Sequence, residues 1–176
     1  FWLELYLKLF LILSQRHLGD RHLSVITHSR NFGSQNVFIS GITHSKSDAV
    51  ILMDGDLQDP PELIPQFVRK WLEGYDVVYG IRERRKASFF LQVAYKMFYW
   101  VYRKLSYVNV PLDSGDFSII DRRVADILAQ MPERDRFLRG LRAWVGFRQV
   151  GIPYERDKRF SGESTNSFSD NIRWAK

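Results

Sequence analysis

Cysteine is absent from the 176 residues, which excludes a disulfide scaffold and any metal site built on thiolates. Histidine is sparse. His17, His22, His28 and His44 show no metal spacing with another ligand and form no nucleophile–base pair, so all four read as structural. Long apolar runs are missing as well. The opening stretch, residues 1–13, is too short for a bilayer, which takes roughly 20 apolar residues, and Glu4 and Lys8 interrupt it. Those two charges are spaced i, i+4 on one helical face, so the stretch reads as an amphipathic helix, with a truncated signal segment as the alternative. There are no internal repeats and no low-complexity tracts.

What is present points to one α/β domain with an anionic partner. A hydrophobic content of 45% is ample for a core at this length. The net charge of +6 favours nucleic acid, a membrane surface or phosphate-bearing substrates. Nucleic acid fits worst, because the basic residues are dispersed and no recognised binding motif occurs. Strand patterns at 23–26, 48–53, 76–79, 117–120 and 148–153 alternate with helical patterns at 35–44, 62–73, 123–131 and 137–145. That alternation predicts a mostly parallel sheet covered on both faces, with 48–53 as its central strand. Pro60 and Pro61 fall where a first helical turn tolerates proline, and the helix they open ends at Gly74.

The most informative segment is Asp54-Gly55-Asp56-Leu57-Gln58-Asp59-Pro60-Pro61-Glu62, placed directly after the apolar run 49–53. Carboxylates at alternate positions of a strand end can both reach one divalent cation, and all-oxygen ligands suit Mg²⁺ or Mn²⁺. The plainer reading is an acidic loop whose first Asp caps the next helix. Residues 89–105 form an aromatic-rich helical pattern with cations at Lys96, Arg103 and Lys104. Flanking cations beside that many large rings suit a membrane interface better than a single buried stripe.

In its nine-residue context the acidic segment resembles the family 2 glycosyltransferases, in particular their polyprenyl-phosphate branch. Further segments carry the resemblance in order: Ser29-Arg30-Asn31-Phe32-Gly33, the strand ending in Gly80-Ile81-Arg82, Asp113-Ser114-Gly115-Asp116-Phe117 with Asp121-Arg122, and Arg156, Arg159, Phe160, Gly162 and Ser164. The resemblance implies a GT-A-like (Rossmann-like) fold. It further implies inverting transfer of a hexosyl-type sugar from a UDP- or GDP-linked donor to a polyprenyl phosphate, at the cytosolic face of a membrane. Asp54 and Asp56 then hold the metal, and the resemblance adds Gln58 as a neutral oxygen ligand. Asp59 is read as an acid complementing the helix dipole.

Asp116, followed by Asp113, is the catalytic candidate. A lipid phosphate is already anionic, its second pKa being about 6, so Asp116 would orient the nucleophile or a neighbouring Arg rather than abstract a proton. The other reading is a turn Asp bonded to its own backbone. Arg156 and Arg159 would clamp the donor diphosphate or the lipid phosphate, with Arg82 and Ser164 as further phosphate candidates. Arg30 and Asn31 either shape the nucleotide pocket or close a turn.

Departures from the pattern accompany these matches. Thr165 stands where the family has Lys, and Asn166 where an aromatic is usual. The family's first strand, with its P-x-Y-N-E-like turn and D-D-G-S-like loop, finds no counterpart. The chain therefore reads as residues 1–164 of a partial catalytic domain, including an interfacial helix at 87–105, then a polar tail at 165–176. By itself it is expected not to turn over a nucleotide sugar. A saccharide acceptor, or an inactive remnant that binds nucleotide or membrane, are the alternative functions.

The interfacial reading makes a direct prediction. The protein should sediment with anionic vesicles at low salt, and the bound fraction should fall as salt rises, because cations flank the aromatic face. Absence of binding at low salt would return residues 89–105 to the core.

Overall fold

The computed structural model describes residues 19–20, 22–56, 58–82, 114–133 and 136–155. The expected helices at 1–13 and 89–105, and the polar tail, lie outside these residues. The described elements are α1 (Ser34–His44), β1 (Ala49–Leu52), a 3-10 turn (Pro61–Leu63) running into α2 (Ile64–Leu72), β2 (Val77–Arg82), β3 (Ser114–Asp121), α3 (Arg122–Gln130), α4 (Leu138–Trp144) and β4 (Gln149–Tyr154).

The strands form one sheet in the order β1-β3-β2-β4. β2 and β4 pair in parallel, with Val77 opposite Gln149 and Arg82 opposite Tyr154. β3 runs antiparallel to both β1 and β2. Three strands thus point one way and β3 alone points back, as in a GT-A-like α/β fold. Within the described residues β1 is an edge strand rather than the central one, since its only described neighbour is β3. The pattern at 23–26 forms no strand. Ile26 is left 43% exposed there, and Leu23 N donates to Asp20 O (3.1 Å) in a turn.

Both faces of the sheet are covered, as the alternating pattern requires. On one face Ile39 and Ile42 of α1, Val124, Ala125 and Leu128 of α3, and Leu138 of α4 pack on Val50, Leu52, Val77, Tyr79 and Ile120. On the other, Phe67 of α2 packs with Val78, Phe117, Ile119, Ile152 and Tyr154. Val77, Val78, Tyr79 and Gly80 are all buried, as expected of a strand sealed from both sides. The aromatic rings of Phe67, Phe117 and Tyr154 meet at centroid spacings of 4.8 and 6.0 Å, in the range of attractive tilted and edge contacts.

One end of the sheet is closed by a polar belt. Asp76 accepts from Arg148 N (3.0 Å) and from the Arg123 guanidinium, while its own amide donates to Arg148 O (2.8 Å). Asp121, the last residue of β3, caps α3. Its carboxylate accepts from Arg123 N, Arg123 Nε and Trp71 Nε1, each at 3.0 Å. Burial alone would raise the Asp121 pKa, but these donors outweigh it and hold the carboxyl below its ordinary value. The folded protein therefore binds that proton less readily than the unfolded chain. The resulting stability is complete above about pH 4 and is lost as pH falls through the lowered folded pKa.

Asp121→Ala should accordingly lose about 1 kcal/mol at neutral pH, the ordinary value of a helix cap. The deficit should shrink as the solution is acidified below about pH 4. Urea unfolding at several pH values checks this; a deficit constant across that range would mean that the charge of Asp121 contributes nothing.

Candidate active site

The reversal of β3 decides where the polar side chains gather. Because β3 runs backwards, its first residues lie at the end where β1, β2 and β4 finish. Ser114 sits opposite Ile81, and Leu52 opposite Ser118. Two positions beyond that last pair stand Asp54 after β1 and Asp116 on β3. Arg82 and Tyr154 are the final, mutually paired residues of β2 and β4. Carboxyl ends of parallel strands are where open α/β sheets bind ligands.

The turn after β1 carries the metal candidates. Asp54, Asp56 and Gln58 are all half-buried, and Asp56 Oδ1 accepts from the Gln58 amide at 3.1 Å, an Asx turn that sets the loop's curvature. Asp59, expected to complement the helix dipole, also makes a buried contact across the sheet end. Its side chain is 1% exposed and accepts a hydrogen bond from the Tyr154 hydroxyl. The Arg82 guanidinium lies 4.0 Å from its other oxygen. The acidic turn is thereby pinned to the last residues of β2 and β4.

Arg82 is cradled as well as paired. Its Nε donates to Tyr154 Oη at 3.4 Å, and the side chain keeps 30% exposure. A Cβ on Gly115 would come within 3.0 Å of the guanidinium, and one on Gly80 within 2.5 Å of the Tyr154 ring. The missing side chains at these two positions create the space that Arg82 and Tyr154 fill. Burial works to lower the Arg82 pKa, but the Tyr154 hydroxyl and the carboxylates of Asp59 and Asp116 outweigh it and raise it. The Tyr154 phenol is pushed up to about 12, by burial first and then by its bond to Asp59.

Asp116 faces the other side of the sheet. Gln35 Nε2 donates to its Oδ2 at 3.2 Å, and Arg139 Nε stands 3.3 Å from its Oδ1. Gln35 also accepts from the Leu138 amide at 2.9 Å, so one side chain ties the start of α1 to β3 and to the first turn of α4. Behind them Arg142, 4% exposed, donates to Ser118 Oγ (2.8 Å) and Gly115 O (3.3 Å) and lies over the Tyr79 ring at 5.1 Å. Burial lowers its pKa to about 10, with the Asp116 charge working in the opposite direction. Asp116 is therefore a carboxylate with one guanidinium against it and its charge acting on a second, buried one, suited to holding Arg139 in place. The turn-Asp reading accounts for less of it, since these partners come from α1 and α4.

The remaining candidates divide in two. Asn31 Oδ1 accepts from Gly33 N at 2.8 Å, which closes a turn before α1, and Arg30 lies 4.0 Å over the Phe32 ring. Asp113, Arg156, Arg159 and Ser164 lie outside the described residues. Sequence reasoning gave no site role to Gln35, Asp59, Arg139, Arg142 or Tyr154. For Arg142 a signal exists: it falls on the apolar side of α4, in the stripe formed with Leu138 and Val145. Nothing in the sequence alone distinguishes Gln35 or Tyr154.

Residues 11–128 match Glycosyl transferase family 2. The chain is 42% identical over 154 residues to the uncharacterized glycosyltransferase YkcC of Bacillus subtilis, covering 87% of this chain and 48% of that protein. It is 43% identical over 147 residues to an uncharacterized glycosyltransferase of Synechocystis sp., covering 83% and 46%. A prophage bactoprenol glucosyl transferase homolog of Escherichia coli is 32% identical over 154 residues, 87% of this chain and 50% of that protein. The chain thus spans about half the length of these curated relatives. With a matched region that takes in the acidic turn, Arg82 and Asp116, the chain belongs to glycosyl transferase family 2.

Proposed function

We propose that the chain is part of the catalytic domain of an inverting glycosyltransferase, spanning residues 1–164. In this reading the enzyme moves a sugar from a UDP- or GDP-linked donor to a polyprenyl phosphate at the cytosolic face of a membrane. The observation that carries the reading is the convergence of a carboxylate pair, a cradled arginine and Asp116 at one end of the sheet. Relatives named bactoprenol glucosyl transferases support the lipid acceptor. Among the described residues no helix is long and apolar enough to cross a membrane. In this reading the aromatic stretch at 89–105, with its flanking cations, makes the membrane contact.

The donor set fits Mg²⁺ or Mn²⁺. Asp54 and Asp56 offer two half-buried carboxylates within one turn, and the half-buried Gln58 follows two residues later. The described residues hold no cluster of three or more acidic, histidine or cysteine ligands. Mg²⁺ commonly takes one or two carboxylates and completes its shell with water and substrate phosphates, so two are sufficient. Bound there, the cation supplies positive charge where the leaving diphosphate becomes more negative.

The chain's own residues do the rest. Arg82, held at the end of β2, presents a guanidinium to phosphate oxygens, with Arg156, Arg159 and Ser164 as further contacts. Asp116 keeps Arg139 in place beside the acceptor. An oxygen of the lipid phosphate forms the new bond to the anomeric carbon as the bond to the nucleoside diphosphate breaks. The nucleophile is already anionic at neutral pH, so no side chain needs to remove a proton. Arg30 and Asn31 border the nucleotide in this reading.

Asp56→Asn tests the metal assignment without disturbing the turn, because asparagine retains the oxygen that accepts the Gln58 amide. In the complete protein, transfer of labelled sugar from UDP-glucose or GDP-mannose to undecaprenyl phosphate should fall at least about a hundredfold. Urea stability should change by less than about 0.5 kcal/mol. Near-normal turnover of the variant with Mg²⁺ or Mn²⁺ would refute the metal role. Failure of the unaltered protein to form any lipid-linked sugar would refute the acceptor.

A further inference from the structure

The buried contact between Asp59 and Tyr154 has no part in the chemistry described so far, yet it joins the acidic turn to the end of β4 through a nearly inaccessible carboxylate. Both residues reach the same third group. Tyr154 Oη accepts from Arg82 Nε at 3.4 Å while donating to Asp59 Oδ1, and Asp59 Oδ2 lies 4.0 Å from Arg82 Nη2. Arg82 is thus approached on one side by a hydroxyl and a carboxylate. On another side Gly115 leaves room where any Cβ would press on the guanidinium at 3.0–3.3 Å. The Tyr154 ring is fixed in turn by the absence of a side chain at Gly80 and by its edge contact with Phe117.

A long, flexible arginine side chain carries about 2 kcal/mol of rotamer entropy. A guanidinium fixed before its ligand arrives loses less of that freedom on binding.

We infer that Asp59 and Tyr154 are positioning residues that hold the Arg82 guanidinium in the orientation in which it grips a substrate phosphate. This rests on the reading of Arg82 as a phosphate contact. The chemistry recognised is a phosphate oxygen, from either the nucleoside diphosphate or the lipid phosphate. Asp59 acts through Tyr154: by accepting the phenolic proton it turns a Tyr154 lone pair toward Arg82 Nε.

The test is a double-mutant cycle in the complete protein with Tyr154→Phe, Arg82→Ala and the pair. Two probes are titrated calorimetrically, UDP with Mn²⁺ and farnesyl phosphate, and KM and kcat are measured alongside. Tyr154→Phe removes one oxygen and keeps the ring, so the fold is retained; a thermal melt verifies this. Tyr154→Phe should weaken binding of one probe by about tenfold, the range of one hydrogen bond to a charged group. The probe that weakens identifies the phosphate that Arg82 holds. In the Arg82→Ala background the same change should have no effect on that probe, and Asp59→Asn should reproduce the loss in part. Equal losses from Tyr154→Phe with and without Arg82, or no loss while Arg82→Ala binds poorly, would overturn the positioning role alone. Unchanged affinity of Arg82→Ala for both probes would overturn the phosphate role of Arg82 and the positioning role with it.

Discussion

The direction of β3 is the constraint on which the site depends. Had β3 run parallel to its neighbours, Asp116 would stand at the far end of the sheet from Asp54 and Arg82, beside the polar belt around Asp76. Its reversal places Ser114, Gly115 and Asp116 among the last residues of β1, β2 and β4. The hydrophobic layers on both faces fix that arrangement, since a slip of one residue would send Phe117 and Ile119 to the face filled by α1, α3 and α4.

Around this edge the protein balances charge on the two sides of the sheet in different ways. On the α2 side a single arginine meets one buried carboxylate, with a phenol between them. On the α1 and α4 side a single carboxylate meets Arg139, while the almost wholly buried Arg142 behind them is held by neutral partners. Burying a guanidinium as deeply as Arg142 is tolerable only because a hydroxyl, a carbonyl and an aromatic face receive it. The site end of the sheet is therefore held by polar contacts whose loss would strand a charge, whereas its middle is held by ordinary apolar packing.

The elements that sequence reasoning located well are those with a local signal. The acidic turn follows an apolar run and precedes two prolines, and α3 and α4 appear within a residue of the expected bounds. Strand direction has no such signal, because an alternating pattern reads the same both ways; the expected mostly parallel sheet accordingly did not foresee the reversal of β3. Residues 23–26 show that a strand-like composition alone does not make a strand. The contact of Asp59 with Tyr154 was not foreseen, because an acid before Pro60 and Pro61 is ordinary at a helix start and Tyr154 lies 95 positions away. Gln35 and Arg139 escaped for the same reason, as their contacts with Asp116 span α1, β3 and α4.

The glycines at 80 and 115 stand on neighbouring strands, β2 and β3, and each is overhung by a large side chain from elsewhere. Together with the Asp59 contact they lock the acidic turn, the end of β2 and the end of β4 into one rigid frame. In the proposed reading the spacing between the carboxylate pair and the Arg82 guanidinium acts as a ruler for the ligand that spans them, because resetting it would mean breaking a buried contact.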